Sequence, residues 1–327
     1  MNTRNLLLVT LLALTFAACG SGDDDPFVPQ PVVTPDDNPT NPTNSTGDAN
    51  NTNRNSTDKC AEAWRLEFPK LKGGNSIAVV HSGVLNSKTN ITGVNYTVEW
   101  DTNIHAQRWS CYEMYESISA SNTSRYSVTP KGSLTSDSQY PNDEFLESTY
   151  QFTVDPYWNS GFDHGHICPS ADRLGSYECN RQTFYMTNMQ PQVNKFNAGI
   201  WAKMEGQIRT WNRGSFRDTL YVVKGGTIDN ENNISRYIGS GVNKIPVPKY
   251  FFMAVLCKNT QGYKAIGFWI EHDGSISETS PLANYVVNIR DLEEKTGIDF
   301  FCNLPDDVEK KAEELAVDKV KLTWGFK

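Results

Sequence analysis

Six apolar runs, rich in β-branched and aromatic residues and separated by Gly, Asn and Pro, constrain the fold of this 327-residue chain more than any other feature. They are SIAVVHSG (76–83), YTVEWD (96–101), WSCYEMY (109–115), TLYVVKG (219–225), YFFMAVLC (250–257) and KAIGFWIE (264–271). Each run has the length and composition of a β-strand. The runs do not alternate regularly with helices, as the strands of a parallel sheet would. The pattern therefore predicts an α+β fold with a central, largely antiparallel sheet flanked by helices.

Three segments have helical periodicity, and they cover residues 194–211, 289–297 and 306–316. An apolar stripe at a spacing of four residues runs along the first segment: Phe196, Ile200, Met204 and Ile208. Asn197, Trp201 and Glu205 share the adjacent face, where Trp201 is expected to be a core residue. At 1.5 Å per residue, Asn197 and Glu205 lie about 12 Å apart along the axis. That separation is too long for both to bind one ion directly, so any contact from Glu205 is expected to pass through water.

The N-terminus is organised like an export signal. Arg4 precedes an apolar run (6–16) shorter than a membrane span, and small residues then lead to Cys19. This order resembles a bacterial lipobox and predicts a signal peptide over residues 1–18 and a lipid on Cys19. The expected product is an outer-membrane lipoprotein facing the periplasm or the cell surface; an ordinary signal peptide cut nearby is the alternative. Residues 19–59 are then the lipidated cysteine and a polar, disordered tether, and residues 60–327 form one domain.

Net charge and cysteine content limit the partners and the redox state. The formal charge is −8, and residues 60–327 retain −4 of it, so the domain has no overall basic footprint for nucleic acid. A nucleic-acid role would need a locally basic cleft or a bound cation. Six cysteines follow Cys19, and an even number in an exported chain predicts disulfides. The favoured pairs are Cys168 with Cys179 and Cys257 with Cys302.

Residues with catalytic potential are concentrated in three consecutive blocks: FDHGHICPSAD (162–172), QTFYMTNMQPQ (182–192) and KFNAGIWAKMEGQIR (195–209). In order and spacing, these blocks resemble the signatures of the DNA/RNA non-specific endonucleases, the ββα-metal or His-Me finger nucleases. The similarity extends from about residue 96 to about residue 308. The resemblance implies a ββα-metal fold and metal-dependent hydrolysis of phosphodiester bonds in DNA and RNA, through backbone contacts without sequence specificity.

The resemblance also implies roles for the metal-site residues. His166 matches the family's general base, Asn197 its metal ligand, and Glu205 the acid that orders a metal-bound water. The implied cofactor is Mg²⁺, with Mn²⁺ or another divalent cation as alternatives. A neutral imidazole can accept a proton from water, while a divalent cation neutralises phosphoryl charge. Because Mg²⁺ prefers oxygen ligands, His166 is expected to face the substrate and not the ion.

Four further positions correspond to residues of the family's active site. Asp163 opens the first block, Asn188 matches an asparagine beside the active site, and Arg125 is the best match for a phosphate-contacting arginine. His164 stands where the family usually has arginine, so a fixed planar cation is replaced by a group whose charge depends on pH near neutrality. His164 is expected either to lie near the phosphate or to pack.

Structural interpretations of the same residues remain open. Asn197 could be a turn or cap residue, and Asp163 could hold its loop by accepting backbone hydrogen bonds. Other cations, such as Arg173, Lys203 and Arg209, could contact a nucleic-acid backbone without reading its bases. Two other functions remain possible. One is a catalytically weak or silent nuclease-fold lipoprotein that binds nucleic acid, and the other is a metal-dependent phosphodiesterase for small nucleotides.

Overall fold

A computed structural model describes residues 50–130 and 132–326. Within these ranges, seven strands form the central sheet: β1 (Ser76–Asn86), β2 (Ile91–Asp101), β3 (Ala106–Tyr115), β6 (Thr219–Gly226), β9 (Tyr250–Asn259), β10 (Gly262–Glu271) and β11 (Val286–Val287). They are hydrogen-bonded in the order β1-β2-β3-β6-β9-β10-β11, and every neighbouring pair is antiparallel. All six predicted strands belong to this sheet. The predicted α+β class with a largely antiparallel sheet is confirmed.

Two small ribbons lie outside the central sheet. One pairs β4 (Asp163–His166) with β5 (Met189–Gln192), and the other pairs β7 (Ile234–Ile238) with β8 (Ile245–Pro248). The sequence did not predict these strands because runs of four or five residues are too short for a period of two to stand out.

Six α-helices are present in the described part of the chain: α1 (Tyr177–Gln182), α2 (Asn194–Phe196), α3 (Ala202–Trp211), α4 (Ile289–Thr296), α5 (Asp306–Glu313) and α6 (Val317–Thr323). A π-helical turn over Asn197–Trp201 joins α2 to α3, so the helix predicted over residues 194–211 is not regular. Among the described helices, none combines the length and apolarity needed to cross a bilayer.

The central sheet separates two hydrophobic clusters because side chains alternate between its faces. In β6, Leu220 and Val222 face the cluster that contains α3, whereas Tyr221 and Val223 face the cluster that contains α4 and α5. The predicted apolar stripe packs against the first face, and each of its four members is at most 1% exposed: Phe196, Ile200, Met204 and Ile208. The α3 face is therefore the one on which the residues of the sequence blocks converge.

The predicted disulfides are not formed. The six cysteines of the described residues are all free and buried. Cys257 packs in the cluster on the α3 side, and its thiol is 3.3 Å from the Phe216 carbonyl oxygen. The Cys302 thiol instead lies 3.8 Å from the carbonyl oxygen of Phe68, which belongs to the opposite cluster.

The other predicted pair is separated in the same way. Cys168 lies in the cluster on the α3 side, whereas Cys179 packs with Leu85 and Ile118 in a third, smaller cluster. Sequence proximity therefore did not bring these thiols together.

The contacts of the domain begin at Asn50, before the predicted boundary at Cys60. Asn51 donates to the Leu304 carbonyl oxygen at 2.8 Å, and Asn53 donates to the Glu309 carboxylate at 2.9 Å. Asparagine side chains thus attach this polar segment to the region around α5. The predicted signal peptide (1–18), Cys19 and the tether up to residue 49 lie outside the described residues.

Candidate active site

The histidines of the first sequence block lie on β4, which pairs with β5 in an antiparallel register. Asp163 is opposite Gln192, and His166 is opposite Met189. Gly165 is required between them because a Cβ at this position would lie 2.4 Å from the Gln192 side chain. The chain then continues through α2 and the π-turn into α3. Two short strands and a helix therefore bring the three sequence blocks together.

Asp163 orients the side chain of Asn197 near the start of the helical segment. One of its carboxylate oxygens accepts hydrogen bonds from Asn194 Nδ2 and from Asn197 Nδ2, each at 2.9 Å. Because the amide nitrogen of Asn197 must face the carboxylate, its Oδ1 atom points away and remains available. An amide oxygen is a hard donor of the kind that Mg²⁺ prefers. No three His, Cys, Asp or Glu side chains of the described residues are grouped so as to hold a metal ion. The donor set therefore fits one amide ligand with water as the remaining ligands.

His166 has one ring nitrogen without a partner. The Nε2 atom of its imidazole is buried and has no hydrogen-bond partner among the described residues. Burial is the main reason that the pKa of His166 falls to about 3, and the neighbouring Arg125 guanidinium contributes to the same shift. The ring of Phe184 packs edge-on against the imidazole, with ring centres 4.7 Å apart. His166 is therefore neutral near neutral pH and presents an unprotonated nitrogen.

Arg125 lies at the same site. Its guanidinium carbon is 4.7 Å from the centre of the Phe184 ring, whose edge contacts His166. The side chain is exposed and, within the structure described, has no carboxylate partner. The Phe184 ring thus lies between the Arg125 guanidinium and the His166 imidazole, and contact of Arg125 with a phosphate stays a prediction.

His164 packs and does not point toward a phosphate. Its imidazole is stacked between Tyr140, with ring centres 3.8 Å apart, and Tyr157, with ring centres 4.4 Å apart. Its Nε2 atom lies 3.0 and 3.1 Å from the two carboxylate oxygens of Asp155. Both ring faces and one ring nitrogen are thereby occupied. These contacts agree with the packing alternative for His164 and offer no support for its assignment as a catalytic residue, which stays an untested prediction.

Asn188 is also structural. It is fully buried, and its amide nitrogen donates to the carbonyl oxygens of Cys168 at 2.8 Å and Thr183 at 2.7 Å. Its amide oxygen accepts from Cys168 N at 2.9 Å and from Ser110 Oγ at 3.0 Å. All four hydrogen-bonding positions are filled, so no capacity remains for a substrate. These bonds support a structural role for Asn188, and its assignment as a catalytic residue stays an untested prediction.

Glu205 contacts a buried lysine that the sequence analysis did not identify. Its carboxylate lies 3.4 Å from Lys224 Nζ and 4.0 Å from an Arg209 nitrogen. Burial raises the pKa of Glu205, and Lys224 opposes this effect. Lys224 is fully buried, and its ammonium lies over the rings of Tyr112 and Trp201, at 5.4 and 5.8 Å. An ion pair therefore lies beneath the helix that follows the candidate metal ligand.

The π-turn changes the relation between the two predicted metal-site residues. A π-turn contains an additional residue compared with an α-turn, so side chains that follow it are rotated from their α-helical positions. Asn197 begins this turn, and Glu205 lies beyond it. A common face for these residues therefore cannot be inferred from a spacing of four. Contact of Glu205 with a metal-bound water stays a prediction.

Of the cations expected to contact a backbone, Arg173 is not available. It is buried, and its guanidinium donates to the backbone carbonyl oxygens of Asn95, Asp172 and Glu113. Lys203 is exposed and donates to the Ser280 carbonyl oxygen at 2.8 Å.

Several side chains that build this site were missed. Phe184 lies inside the second block, and Lys224 interrupts an otherwise apolar strand, so both had a signal in the sequence. Asp155 and Tyr140 had none, because they lie outside the blocks and reach His164 only through the tertiary fold. Trp201 is buried as expected and donates to the His166 carbonyl oxygen at 3.3 Å.

Two strands carrying His166, followed by a helical segment carrying Asn197, beside a central antiparallel sheet, define a ββα-metal (His-Me finger) nuclease fold. The chain belongs to the DNA/RNA non-specific endonuclease family, whose model matches residues 74–307. The members of this family are hydrolases that act as nucleases.

Individual relatives agree with this membership. The chain is 31% identical over 174 residues to Nuclease C1 from Cunninghamella echinulata var. echinulata, an alignment that covers 51% of this chain and 68% of that protein. It is 26% identical over 170 residues to human mitochondrial endonuclease G, which covers 50% of this chain and 57% of that protein. The alignments thus span about half of this chain.

A solved structure has a similar fold. It is the crystal structure of the EndoG/EndoGI complex, which aligns with a TM-score of 0.55 and 20% identity. The alignment covers 71% of this chain and 89% of that one. At this level of identity the similarity concerns the fold.

Proposed function

We propose that this protein is a metal-dependent, sugar-non-specific endonuclease that hydrolyses phosphodiester bonds of DNA and RNA. The observation that carries the proposal is a pair of free acceptor atoms on neighbouring elements. His166 Nε2 on β4 has no hydrogen-bond partner, and Asn197 Oδ1 is turned outward by Asp163. His166 Nε2 can accept a proton, and Asn197 Oδ1 can bind a hard cation.

His166 is the general base in this proposal. Its Nε2 atom accepts a proton from the attacking water, while the edge-on contact with the Phe184 ring holds the imidazole in place. An anionic phosphate beside His166 counteracts the charge of Arg125 and makes the imidazole more basic when substrate is bound. Arg125 contacts a phosphoryl oxygen from the Phe184 side of the site.

Asn197 is the protein ligand of a divalent cation, and Mg²⁺ is the cation that best fits an amide oxygen and water; Mn²⁺ is the alternative. When bound, the cation neutralises the charge of the phosphoryl group and stabilises the departing 3′ oxygen. Asp163 orients Asn197, and Glu205 is held by Lys224 on the next turns of the helical segment.

Low sequence specificity is part of the proposal. The free cation nearest to His166 is Arg125, which is suited to phosphate oxygens, and phosphate contacts carry no base information. We further propose, from the N-terminal sequence alone, that the protein is exported and attached to the outer membrane by a lipid on Cys19.

The direct test is cleavage of plasmid DNA and of RNA by the purified full chain. We expect both to be cut with Mg²⁺, and neither to be cut with EDTA or by His166→Ala. Lys319→Ser, which changes an exposed lysine on α6, is the control and retains activity. Intact DNA and RNA in every reaction would argue against a nuclease.

The same experiment separates the two alternatives. A silent nucleic-acid binder would retain oligonucleotide binding in His166→Ala and show no cleavage by the unmodified chain. A phosphodiesterase for small nucleotides would hydrolyse nucleotide-sized esters and leave plasmid and RNA intact.

A further inference from the structure

A cavity of about 320 Å³ lies beside the C-terminal half of α3, outside the residues assigned to the chemistry. Its walls come from the end of α3, from the segment after β3, and from residues 171–174. We call this cavity the α3 pocket. The residues that matter for its chemistry are Met114, Ile118, Leu174, Arg209, Asn212 and Arg213.

Three arginines line the α3 pocket, and Arg209 and Arg213 provide its free donors, because Arg173 is bonded to backbone carbonyl oxygens. Arg209 donates one hydrogen bond to Asp172 at 2.9 Å, which leaves other N–H groups of its guanidinium free. Arg213 is exposed, and none of the hydrogen bonds or ion pairs recorded for residues 50–130 and 132–326 involves its side chain. The cavity therefore carries open guanidinium donors.

The acidic residues of the α3 pocket already have partners. Asp172 accepts from Arg209 and, through its other oxygen, from the Tyr112 hydroxyl at 2.8 Å. Glu116 pairs with Arg217 at 3.0 Å. Each acid is thus matched to a cation or a hydroxyl, and Arg213 remains as the unmatched positive charge.

The shape and lining fit a nucleotide. The volume falls at the lower end of the range for small-molecule sites. Met114, Ile118 and Leu174 offer apolar surface to a sugar or a base, while planar guanidinium groups bind phosphate with paired hydrogen bonds.

The position of the α3 pocket connects it to the catalytic centre. Arg209 follows Glu205 by one helical turn and lies 4.0 Å from its carboxylate. The α3 helix ends at Trp211, and Arg213 follows two residues later. A substrate strand that ran along α3 from Asn197 would therefore meet Arg209 first and Arg213 next.

We propose that the α3 pocket binds one nucleotide of the substrate strand that flanks the scissile phosphate, with its phosphate on Arg209 and Arg213. The identity of this ligand rests on the proposed nuclease function. The pocket makes a polynucleotide a better substrate than a small phosphate ester, because a small ester cannot occupy both sites.

The test is equilibrium binding in EDTA, which does not depend on cleavage. Fluorescence anisotropy would compare a labelled oligothymidylate of about eight nucleotides with the dinucleotide thymidylyl-thymidine. We expect Arg213→Ser to weaken binding of the longer strand about tenfold, because a charge-assisted phosphate contact is lost. The slope of log K against log salt should fall by about 0.7, the value for one single-strand phosphate contact. Binding of the dinucleotide should not change.

Two further variants make this result specific. Lys319→Ser removes an exposed lysine far along the chain and should change neither affinity nor salt slope. Ala120→Trp narrows the α3 pocket without removing a charge. It should therefore weaken binding of the longer strand and leave the slope of log K against log salt unchanged. The proposal is overturned if Arg213→Ser and Ala120→Trp both bind the longer strand like the unmodified protein.

The two proposals can fail separately. If Arg213→Ser lost binding while the unmodified chain cleaved neither DNA nor RNA, the proposal for the α3 pocket would stand and the nuclease proposal would fail. If the unmodified chain cleaved nucleic acid and both pocket variants bound the longer strand normally, the nuclease proposal would stand and the proposal for the α3 pocket would fail.

Discussion

A single carboxylate oxygen of Asp163 accepts hydrogen bonds from both Asn194 and Asn197, each at 2.9 Å. The aspartate that opens the first sequence block is therefore a positioning residue. It fixes which end of the Asn197 amide faces outward, and through that it controls the candidate metal ligand.

Asp163→Asn removes the charged acceptor and leaves Asn197 free to turn its amide. Supporting residues of metal ligands typically contribute about tenfold or more to metal affinity. We expect the Mg²⁺ concentration for half-maximal cleavage to rise by about that factor, measured by Mg²⁺ titration at saturating substrate. Asn194→Ala, which leaves the bond to Asn197 in place, is the matched control and should have a smaller effect. Equal Mg²⁺ dependence in Asp163→Asn and the unmodified chain would contradict this role.

His166 should make stability depend on pH. Burial lowers its pKa to about 3 in the folded protein, whereas an unfolded histidine has a pKa of about 6.5. Between these values the unfolded chain binds the additional proton, so stability is lost as the pH falls from about 6.5 toward 3. At pH 5 the loss is about 2 kcal/mol. Urea unfolding of His166→Gln at pH 5 and pH 7 should show a smaller difference than the unmodified chain, and an equal difference would exclude this contribution.

Lys224 should be essential for stability as well as for the position of Glu205. Its ammonium is fully buried, so Lys224→Met leaves the largely buried Glu205 carboxylate without its nearest cation. Breaking one side of such a pair costs about 3 kcal/mol or more in free energy of unfolding. The double variant Lys224→Met with Glu205→Gln removes both charges and should recover part of the loss. Denaturant unfolding of the unmodified chain, the two single variants and the double variant gives the coupling free energy between Lys224 and Glu205. Additive effects on the free energy of unfolding would show that the two groups do not interact.

His164 should be a stability residue and not a catalytic one. His164→Phe keeps an aromatic ring between Tyr140 and Tyr157 but leaves the buried Asp155 carboxylate without this partner. An unpaired buried acceptor costs about 2 kcal/mol. We expect the free energy of unfolding to fall by that amount, and kcat/KM with DNA to stay close to the unmodified value. A large fall in kcat at unchanged stability would return His164 to the catalytic residues.

The parts of the fold that the sequence predicted are those in which periodicity and length are both strong. The six long strands and the stripe from Phe196 to Ile208 were found because burial of one face leaves a regular pattern. The ribbon of β4 and β5 has only four residues on each side, which is too short for a period of two to stand out, so its strands were not predicted. The helical segment is kinked at Gly199, where φ is −101° and ψ is −108°, so a common face of Asn197 and Glu205 cannot be inferred from their spacing.

The residues of the candidate site that the sequence named come from the three blocks, with the exception of Arg125, whereas their partners outside the blocks were missed. Asp163, His166 and Asn197 come from the blocks, and the structure gives each a definite environment. The partner of His164 is Asp155, and the partner of Glu205 is Lys224, and both pairs form through tertiary packing. The disulfide prediction was wrong for the same reason, because the number of cysteines does not indicate on which face of the sheet each thiol lies.

The attachment of the polar segment from Asn51 to Asn55 has a consequence for orientation. These residues bind near Leu304 and Glu309, and α5 packs on the face of the sheet opposite α3. The segment from Asn50 to Asn55 therefore lies on the side of the sheet away from α3, and its hydrogen bonds do not reach the residues of the candidate active site.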